Sequence, residues 1–407
     1  MHFRHIFKPR NVRRHCGATQ QKYENLMNEK ELLYHFPYSI DKENNFRHFV
    51  NDNDKFIQRF IPNYDGTNVK EFIEENTNLT KSEELDFYYS YGEFSKWSTW
   101  FKNGKNIFSF SKELLSMLEK TDVSEITPDN FHLPYDVFYL SLKSLNIKIS
   151  KNSEEIIEGV YIDHQIWDPS GNHPDGYCEL TLNFVGNFNK IHREFSENVK
   201  SRTEYKINDE IKYDDYPLGS FWDIWLWFDK SDGRENVKQT IEFYLESLKE
   251  EIFPRKNSTE VLTDFDLDFY NSTVELLNNT INLVINCILY LSQPTEKKDI
   301  EKKFPIGLPN NFDKQFSFAK TPRETKKIND KIEKLGFTKI NYVGQSFKKN
   351  YAKYFSNSTI QPHWRRGHWR KQKYGENLKE SKTIWILPTI VKSEKGNPEK
   401  GHVYDVN

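Results

Sequence analysis

The stretch Tyr270-Asn-Ser-Thr-Val-Glu-Leu-Leu-Asn-Asn-Thr-Ile-Asn-Leu-Val-Ile-Asn-Cys-Ile-Leu-Tyr-Leu291 holds the strongest periodic signal in the chain. Its residues Tyr270, Val274, Leu277, Ile281, Val284, Ile288 and Leu291 step 4, 3, 4, 3, 4, 3. That spacing returns each side chain to one side of an α-helix and predicts a single apolar stripe over three heptads. Asn278, Asn279, Asn282 and Asn286 fall off the stripe. The reading is a long core helix over 264–292, ended before Pro294, with packing inside the chain preferred to a coiled-coil partner. Its most apolar part, Ile281 to Leu291, is interrupted by two asparagines and is too short to span a bilayer.

Working outward, Val237 to Glu251 reads as a second helix. Before it, Phe-Trp-Asp-Ile-Trp-Leu-Trp-Phe over 221–228 is a strand or the start of a helix. As a strand it places Trp222, Ile224, Leu226 and Phe228 on one face and Phe221, Asp223, Trp225 and Trp227 on the other, which then needs a covering helix. Tyr135 to Leu142, Glu158 to Trp167 and Tyr177 to Val185 read as strands, the last two a hairpin about the turn-rich 168–176. Residues 82–119 read as two helices broken at Gly104, with Trp97, Trp100 and Phe101 on one buried stripe and Ser111 capping the second. Residues 31–80 read as short helices and loops, and 294–322 as loop. Thr325 to Leu335 is a short basic helix, and Lys339–Val343 and Thr383–Ile390 are strands. The tail from Lys392 is polar. The fold class is therefore α+β. Residues 1–130 form a basic arm and helical region, and 131–232 an antiparallel β region. A helical region spans 233–335, and 336–407 form a basic C-terminal β unit.

That last unit contains Gln361-Pro-His-Trp-Arg-Arg-Gly-His-Trp-Arg-Lys-Gln-Lys-Tyr374, in which His-Trp-Arg occurs at 363–365 and 368–370. A repeat of five suits neither a helix face nor a strand face. A turn at Arg366-Gly367 resolves it and predicts a hairpin with Arg365 across from His368, Trp364 from Trp369 and His363 from Arg370. From His363 to Lys373 there are five Arg/Lys and no acid. The candidate binding residues are His363, Trp364, Arg365, Arg366, His368, Trp369, Arg370, Lys371 and Lys373, with Trp385 downstream. They suit RNA, DNA or an acidic partner, against the plainer reading of a solvated hairpin with core tryptophans.

Across 407 residues only 36% are apolar but 15% are aromatic, so rings carry much of the burial. The 58 Lys/Arg and 60 Asp/Glu nearly balance, which leaves distribution, not net charge, to point at partners. Between Lys334 and Lys373 lie ten Lys/Arg and no acid. Residues 1–30 hold seven Lys/Arg against Glu24 and Glu29, a basic arm or simply a solvated terminus. Cys16, Cys178 and Cys287 are far apart, which argues against structural zinc and a disulfide framework. With no apolar run in 1–30 to serve as a signal peptide, the expectation is a cytoplasmic protein without a membrane partner.

Asp163, His164, Asp168, His173, Asp175 and Glu179 gather in and beside one predicted hairpin. Asp163, Asp175 and Glu179 are the candidate carboxylates of a metal-dependent nuclease, since acids flanking a strand hold Mg²⁺. Solvated turn residues explain the same letters, and Thr181 stands where such nucleases carry a lysine. His363 and His368 have no Cys or acid beside them to complete a zinc site. No phosphate loop, Gly-x-Ser-x-Gly or His-Glu-x-x-His is present. The expectation is no metal and no small-molecule cofactor.

Pro362-His363-x-Arg365-Arg366-Gly367-His368-Trp369, followed by Trp385-Ile386-x-Pro388, resembles the C-terminal signature of a type V anti-CRISPR family with relatives in phages, plasmids and bacteria. Leu133-Pro134-Tyr135-Asp136-Val137-Phe138-Tyr139-Leu140, then Glu158-Gly159-Val160-Tyr161, is similar to its central strands. Ile288-Leu289-Tyr290-Leu291-Ser292 is similar to the segment before its basic part. The resemblance spans about half the chain. It implies a non-enzymatic inhibitor that suppresses a type V CRISPR effector nuclease through the effector's nascent chain or transcript, without blocking the finished enzyme's DNA site. RNA or a ribosome-associated complex is the accompanying partner. The rivals are the nuclease above and a plasmid or phage nucleic-acid-binding protein.

Overall fold

The computed structural model describes residues 31–76, 79–149, 154–167, 177–186, 188, 221–252, 264–293, 299–350, 363–365, 367–387 and 389–391. The basic arm over 1–30, the turn with Asp168, His173 and Asp175, and the polar tail lie outside the described residues.

The strands in chain order are β1 (Ile107–Phe110), β2 (Thr121–Asp122), β3 (Val137–Ser141), β4 (Ile147–Lys148), β5 (Ile156–Trp167), β6 (Tyr177–Gly186) and β7 (Phe221–Asp229). They continue with β8 (Ile300–Lys303), β9 (Ile340–Val343), β10 (His363–Arg365), β11 (Gly367–Tyr374), β12 (Glu380–Ile386) and β13 (Thr389–Val391). One large sheet runs β7-β6-β5-β3-β1-β9-β8, with β4 added against β5. The class is α+β, but the sheet is mixed where the sequence predicts an antiparallel one. β1 lies parallel to both β3 and β9, and the other pairings are antiparallel. Phe221–Asp229 is a strand, and β5 and β6 form the predicted hairpin in a register from Ile157↔Gly186 to Trp167↔Tyr177. Gly159 sits at a register shift in β5. A Cβ there would stand 2.2 Å from the Tyr139 hydroxyl and 2.5 Å from the Leu140 carbonyl oxygen. Only glycine lets β5 approach β3 so closely.

Alternation along the strands gives the sheet two apolar faces. Phe108, Phe138, Leu140, Ile162, Leu182, Phe184, Trp222 and Ile224 pack with Leu114, Leu115 and Leu118 of helix Lys112–Leu118 and with Leu277 to Leu291. Ile107, Tyr139, Tyr161, Ile340 and Tyr342 pack on the other side against Phe36, Phe46, Phe94, Trp97, Trp100 and Ile332. Helix Lys81–Lys102 starts with a capping box between Thr80 and Glu83. It buries Trp97 and Trp100, whose indoles donate to the Pro37 and Asn106 carbonyls at 2.8 and 2.9 Å. The same helix covers part of the second face of β7. Lys96 Nζ lies 2.8 Å from Asp223 Oδ2 and 6.0 Å from the Trp225 ring, while Trp227 stays 45% exposed.

The core helix departs from a single stripe. Asp264–Leu276 passes through a π turn at Leu277–Ile281 into Asn282–Leu291. From Leu283 to Leu291 every residue is buried, Asn286 included. A π turn admits an extra residue per turn and shifts the phase of the turns after it, so the helix ends up enclosed on all sides by the sheet, helix Lys112–Leu118 and the C-terminal strands.

Truncating a buried aliphatic costs about 2–5 kcal/mol, so Ile281→Ala should lower unfolding stability by that amount; an unmoved denaturation midpoint would contradict core placement. A second test concerns His35, which is buried with neither ring nitrogen hydrogen-bonded. Burial, aided by the Lys143 ammonium, lowers its pKa to about 3. The unfolded imidazole titrates near 6.5, so between those values only the unfolded chain takes up this proton. Stability from a neutral His35 is present above pH 6.5 and is lost as pH falls towards 3. Denaturation midpoints from pH 7 to 4 should therefore fall less steeply in His35→Phe than in wild type; parallel profiles would contradict this.

Candidate functional site

The His-Trp-Arg repeat does not fold back on itself. β11 pairs instead with β12, from His368↔Ile386 to Tyr374↔Glu380, and β10 pairs with β13 (His363↔Val391, Trp364↔Ile390, Arg365↔Thr389). The turn of the true hairpin is Gly375 to Lys379, where Gly375 has φ +76° and Asn377 φ +56°, a left-handed backbone suited to these residue types. The partner of Trp369 is therefore Trp385, not Trp364. The predicted strand 383–390 is split between β12 and β13. β9 belongs to the large sheet and does not flank this hairpin. Arg366 and the side chains of His363, Trp364 and Arg365 lie outside the described residues.

Long-range bonds explain the choice of partners. On its other edge β11 pairs with β2, through Gly367↔Thr121 and His368↔Asp122. The Trp369 and Trp385 rings stack at 6.1 Å and 23°. Trp369 Nε1 donates to Asn286 Oδ1 at 2.7 Å, and Trp385 Nε1 donates to Thr121 Oγ1 at 3.1 Å. Asn286, at 0% exposure, donates through Nδ2 to the Thr121 carbonyl at 2.8 Å and the Asn282 carbonyl at 2.9 Å. Asn282 Nδ2 also donates to the Thr121 carbonyl, at 2.9 Å. Asn130 Nδ2 adds a bond to Thr383 Oγ1 at 2.9 Å. Asparagine supplies two donors and an acceptor at one point, which is what a strand edge and an indole need together. Helical periodicity alone places Asn282 and Asn286 only as polar residues off the stripe. The signal for their role is their spacing of four within a segment otherwise apolar on every side.

Because the tryptophans face inward, strand alternation turns His368, Arg370, Gln372 and Tyr374 outward with Ile384 and Lys382 of β12. His368, Arg370, Tyr374 and Lys382 are exposed. Arg370 Nη2 hydrogen-bonds to Gln372 Oε1, and Lys382 Nζ stands 4.5 Å over the Tyr374 ring. The Glu380 carboxylate, hydrogen-bonded to the Tyr374 hydroxyl, raises the pKa of that phenol. Lys371 and Lys373 share the Trp side but are exposed beyond it. Among the described residues none of Arg370, Lys371, Lys373 and Lys382 has a carboxylate within 4.0 Å. Gln372, Tyr374 and Lys382 are additions that only the β11–β12 register identifies.

The acidic candidates come together only in part. Asp163 and His164 line an open hollow of about 730 Å³ with Asp136, Phe131 and Asn103. Glu179 sits on β6 opposite Gln165, and Asp175 is outside the described residues. Burial raises the Asp163 pKa, with Glu179 and Asp136 adding to it and Gln165 and Lys96 opposing. Burial lowers that of His164. Among the described residues no three His, Cys, Asp or Glu converge as metal ligands. Cys178 and Cys287 are buried free thiols, the first pushed up to about 12 by burial. Among the described residues no helix is long and apolar enough to cross a membrane.

A family model described as AcrVA2-like, anti-CRISPR type V subtype A2, matches residues 108–393. A solved structure described as "Crystal structure of AcrVA2" matches at 17% sequence identity and TM-score 0.40, covering 87% of this chain and 99% of that one. No curated protein matches the chain.

Removing the Asn286 amide strands the N–H of the half-buried Trp369 without its partner. Asn286→Ala should cost about 1–3 kcal/mol, the usual penalty for an unsatisfied buried group. It should also shift Trp fluorescence towards the emission of solvated indole. A variant with wild-type melting and emission would show that the hydrogen bond does not anchor the strand.

Proposed function

We propose that this chain, which belongs to the AcrVA2-like family of type V subtype A2 anti-CRISPR proteins, suppresses a type V CRISPR effector nuclease by recognising its nascent chain or transcript. Membership makes it an anti-CRISPR protein with a CRISPR-related partner; the route and the contact residues are our own reading. It acts as a non-enzymatic inhibitor. Arg370, Lys371 and Lys373 contact the anionic groups of the partner, with His368 and Lys382 beside them. His363, Trp364, Arg365 and Arg366 extend the same site on the strength of the sequence. Trp369 and Trp385 position the strand.

The observation that carries this reading is a set of exposed cations on both faces of β11, with no carboxylate within 4.0 Å among the described residues, in a hairpin clamped to the core by two indoles. Arginine adds a planar fork that grips a carboxylate or phosphate bidentately. A cation held on a fixed strand binds an external anion at lower entropic cost than one on a loose loop.

Co-expression with a type V effector tests the proposal. Wild type should lower newly made effector, while purified finished effector should keep its DNA cleavage in the presence of excess protein. Arg370→Gln/Lys371→Gln/Lys373→Gln should restore effector levels with the melting temperature nearly unmoved, since all three positions are exposed. Full suppression by that variant would overturn the assignment of the site.

A further inference from the structure

A second cationic surface lies away from the C-terminal strands. Helix Pro322–Lys334 begins with a capping box in which Thr321 accepts from Glu324 N and the Glu324 carboxylate accepts from Thr321 N. It buries Ile328 and Ile332 against the sheet. Arg323, Lys327, Lys331 and Lys334 are all exposed. At 3.6 residues per turn they fall within an arc of about 80°, on a stripe distinct from the buried isoleucines. Lys320, just before the helix, and Lys326 are exposed as well.

The acids of the segment offset this stripe only in part, Glu324 through the charge of Lys327. Glu324 is engaged at the helix start, where it also accepts from Lys320 N at 2.8 Å. Asp330 and Glu333 are the other two, and among the described residues neither approaches a Lys or Arg within 4.0 Å. Lysines and acids three or four apart on an exposed helix readily pair; here Glu324 and Lys327 interact through their charges without closing to 4.0 Å. Immediately upstream, Phe318 ends helix Phe312–Phe318 and is 76% exposed, the most exposed of the large apolar side chains described.

We infer that this helix and Phe318 form a docking surface for single-stranded RNA. Steps of four residues place cations roughly 6 Å apart along the axis, close to the step between neighbouring phosphates of an extended strand. A row of cations that follows the backbone beside an aromatic ring on which a base stacks is the general recipe for binding single strands without sequence preference. An anionic membrane would match the charge, but it would need an apolar face along the helix, and the apolar side chains Ile328 and Ile332 are buried. The surface is independent of the C-terminal site and stands or falls separately.

The probe is a fluorescent 20-nucleotide oligouridine, read by anisotropy over a salt series with the full chain. Lys327→Gln/Lys331→Gln/Lys334→Gln should weaken binding tenfold or more and reduce the salt slope by about two, since each phosphate no longer neutralised lowers it by roughly 0.7. Phe318→Ala should weaken it about tenfold and leave the slope alone. Lys148→Gln/Lys238→Gln/Lys249→Gln removes equal charge from other exposed positions and should change little. Three outcomes each overturn the inference: absent binding by wild type, equal weakening by the control triple, or loss of binding to phosphatidylserine vesicles with RNA binding unmoved. Because Phe318 is so exposed, its variant remains informative even if the lysine triple folds poorly.

Discussion

The C-terminal strands depend on one buried amide. β11 and β12, with two residues of β2, make a sheet too small to be stable alone. Its inward contact with the core is made by the half-buried Trp369 and Trp385, and an indole N–H shielded from water without a partner is costly. Asn286 supplies that partner for Trp369 while holding the Thr121 carbonyl, and Thr121 supplies the other through its hydroxyl to Trp385. Four residues from distant stretches thus satisfy one another, and the sheet acquires a fixed position over the helix. The outward placement of Arg370 follows from strand alternation once Trp369 is fixed inward.

Much of the fold is legible in the sequence where a pattern is local. The 3–4 periodicity gives the core helix, β5 and β6 follow from alternation and turn residues, and the Trp97/Trp100 stripe follows from helical spacing. The failures occur where long-range pairing decides. β1 has four residues, Ile-Phe-Ser-Phe, too few for any period, and it is central because β3 and β9 flank it. β8, Ile-Glu-Lys-Lys, has no buried residue, so no apolar alternation marks it as a sheet edge. The repeat at 363–370 suggests self-pairing, yet β11 gains a longer register with β12 and the two indole bonds beneath it. Of the candidate site, the charge of the segment is legible from composition. Which cations face outward is not, because that depends on Asn286 and Thr121, 83 and 264 residues from their indole partners.

The arrangement separates the side chains that hold the strands from the exposed charges. Aromatic burial and a satisfied polar network hold the strands; the exposed cations contribute little to folding, since solvated charges are worth little when unpaired. Family membership makes this an anti-CRISPR protein, and the segment that resembles the family's C-terminal signature carries this clamp. Trp369 and Trp385 of that segment hydrogen-bond into the core, and the neighbouring Arg370 is exposed on the opposite face.

A double-mutant cycle between Asn286→Ala and Trp369→Phe, measured by chemical denaturation, tests the central claim most directly. Residues in one hydrogen-bonded network couple by about 0.5–3 kcal/mol. If the amide anchors the strand through the indole, the double variant should be more stable than the sum of the two single losses by an amount in that range. Strictly additive losses would mean that the two side chains stabilise the protein independently, and that something other than this bond fixes the C-terminal strands.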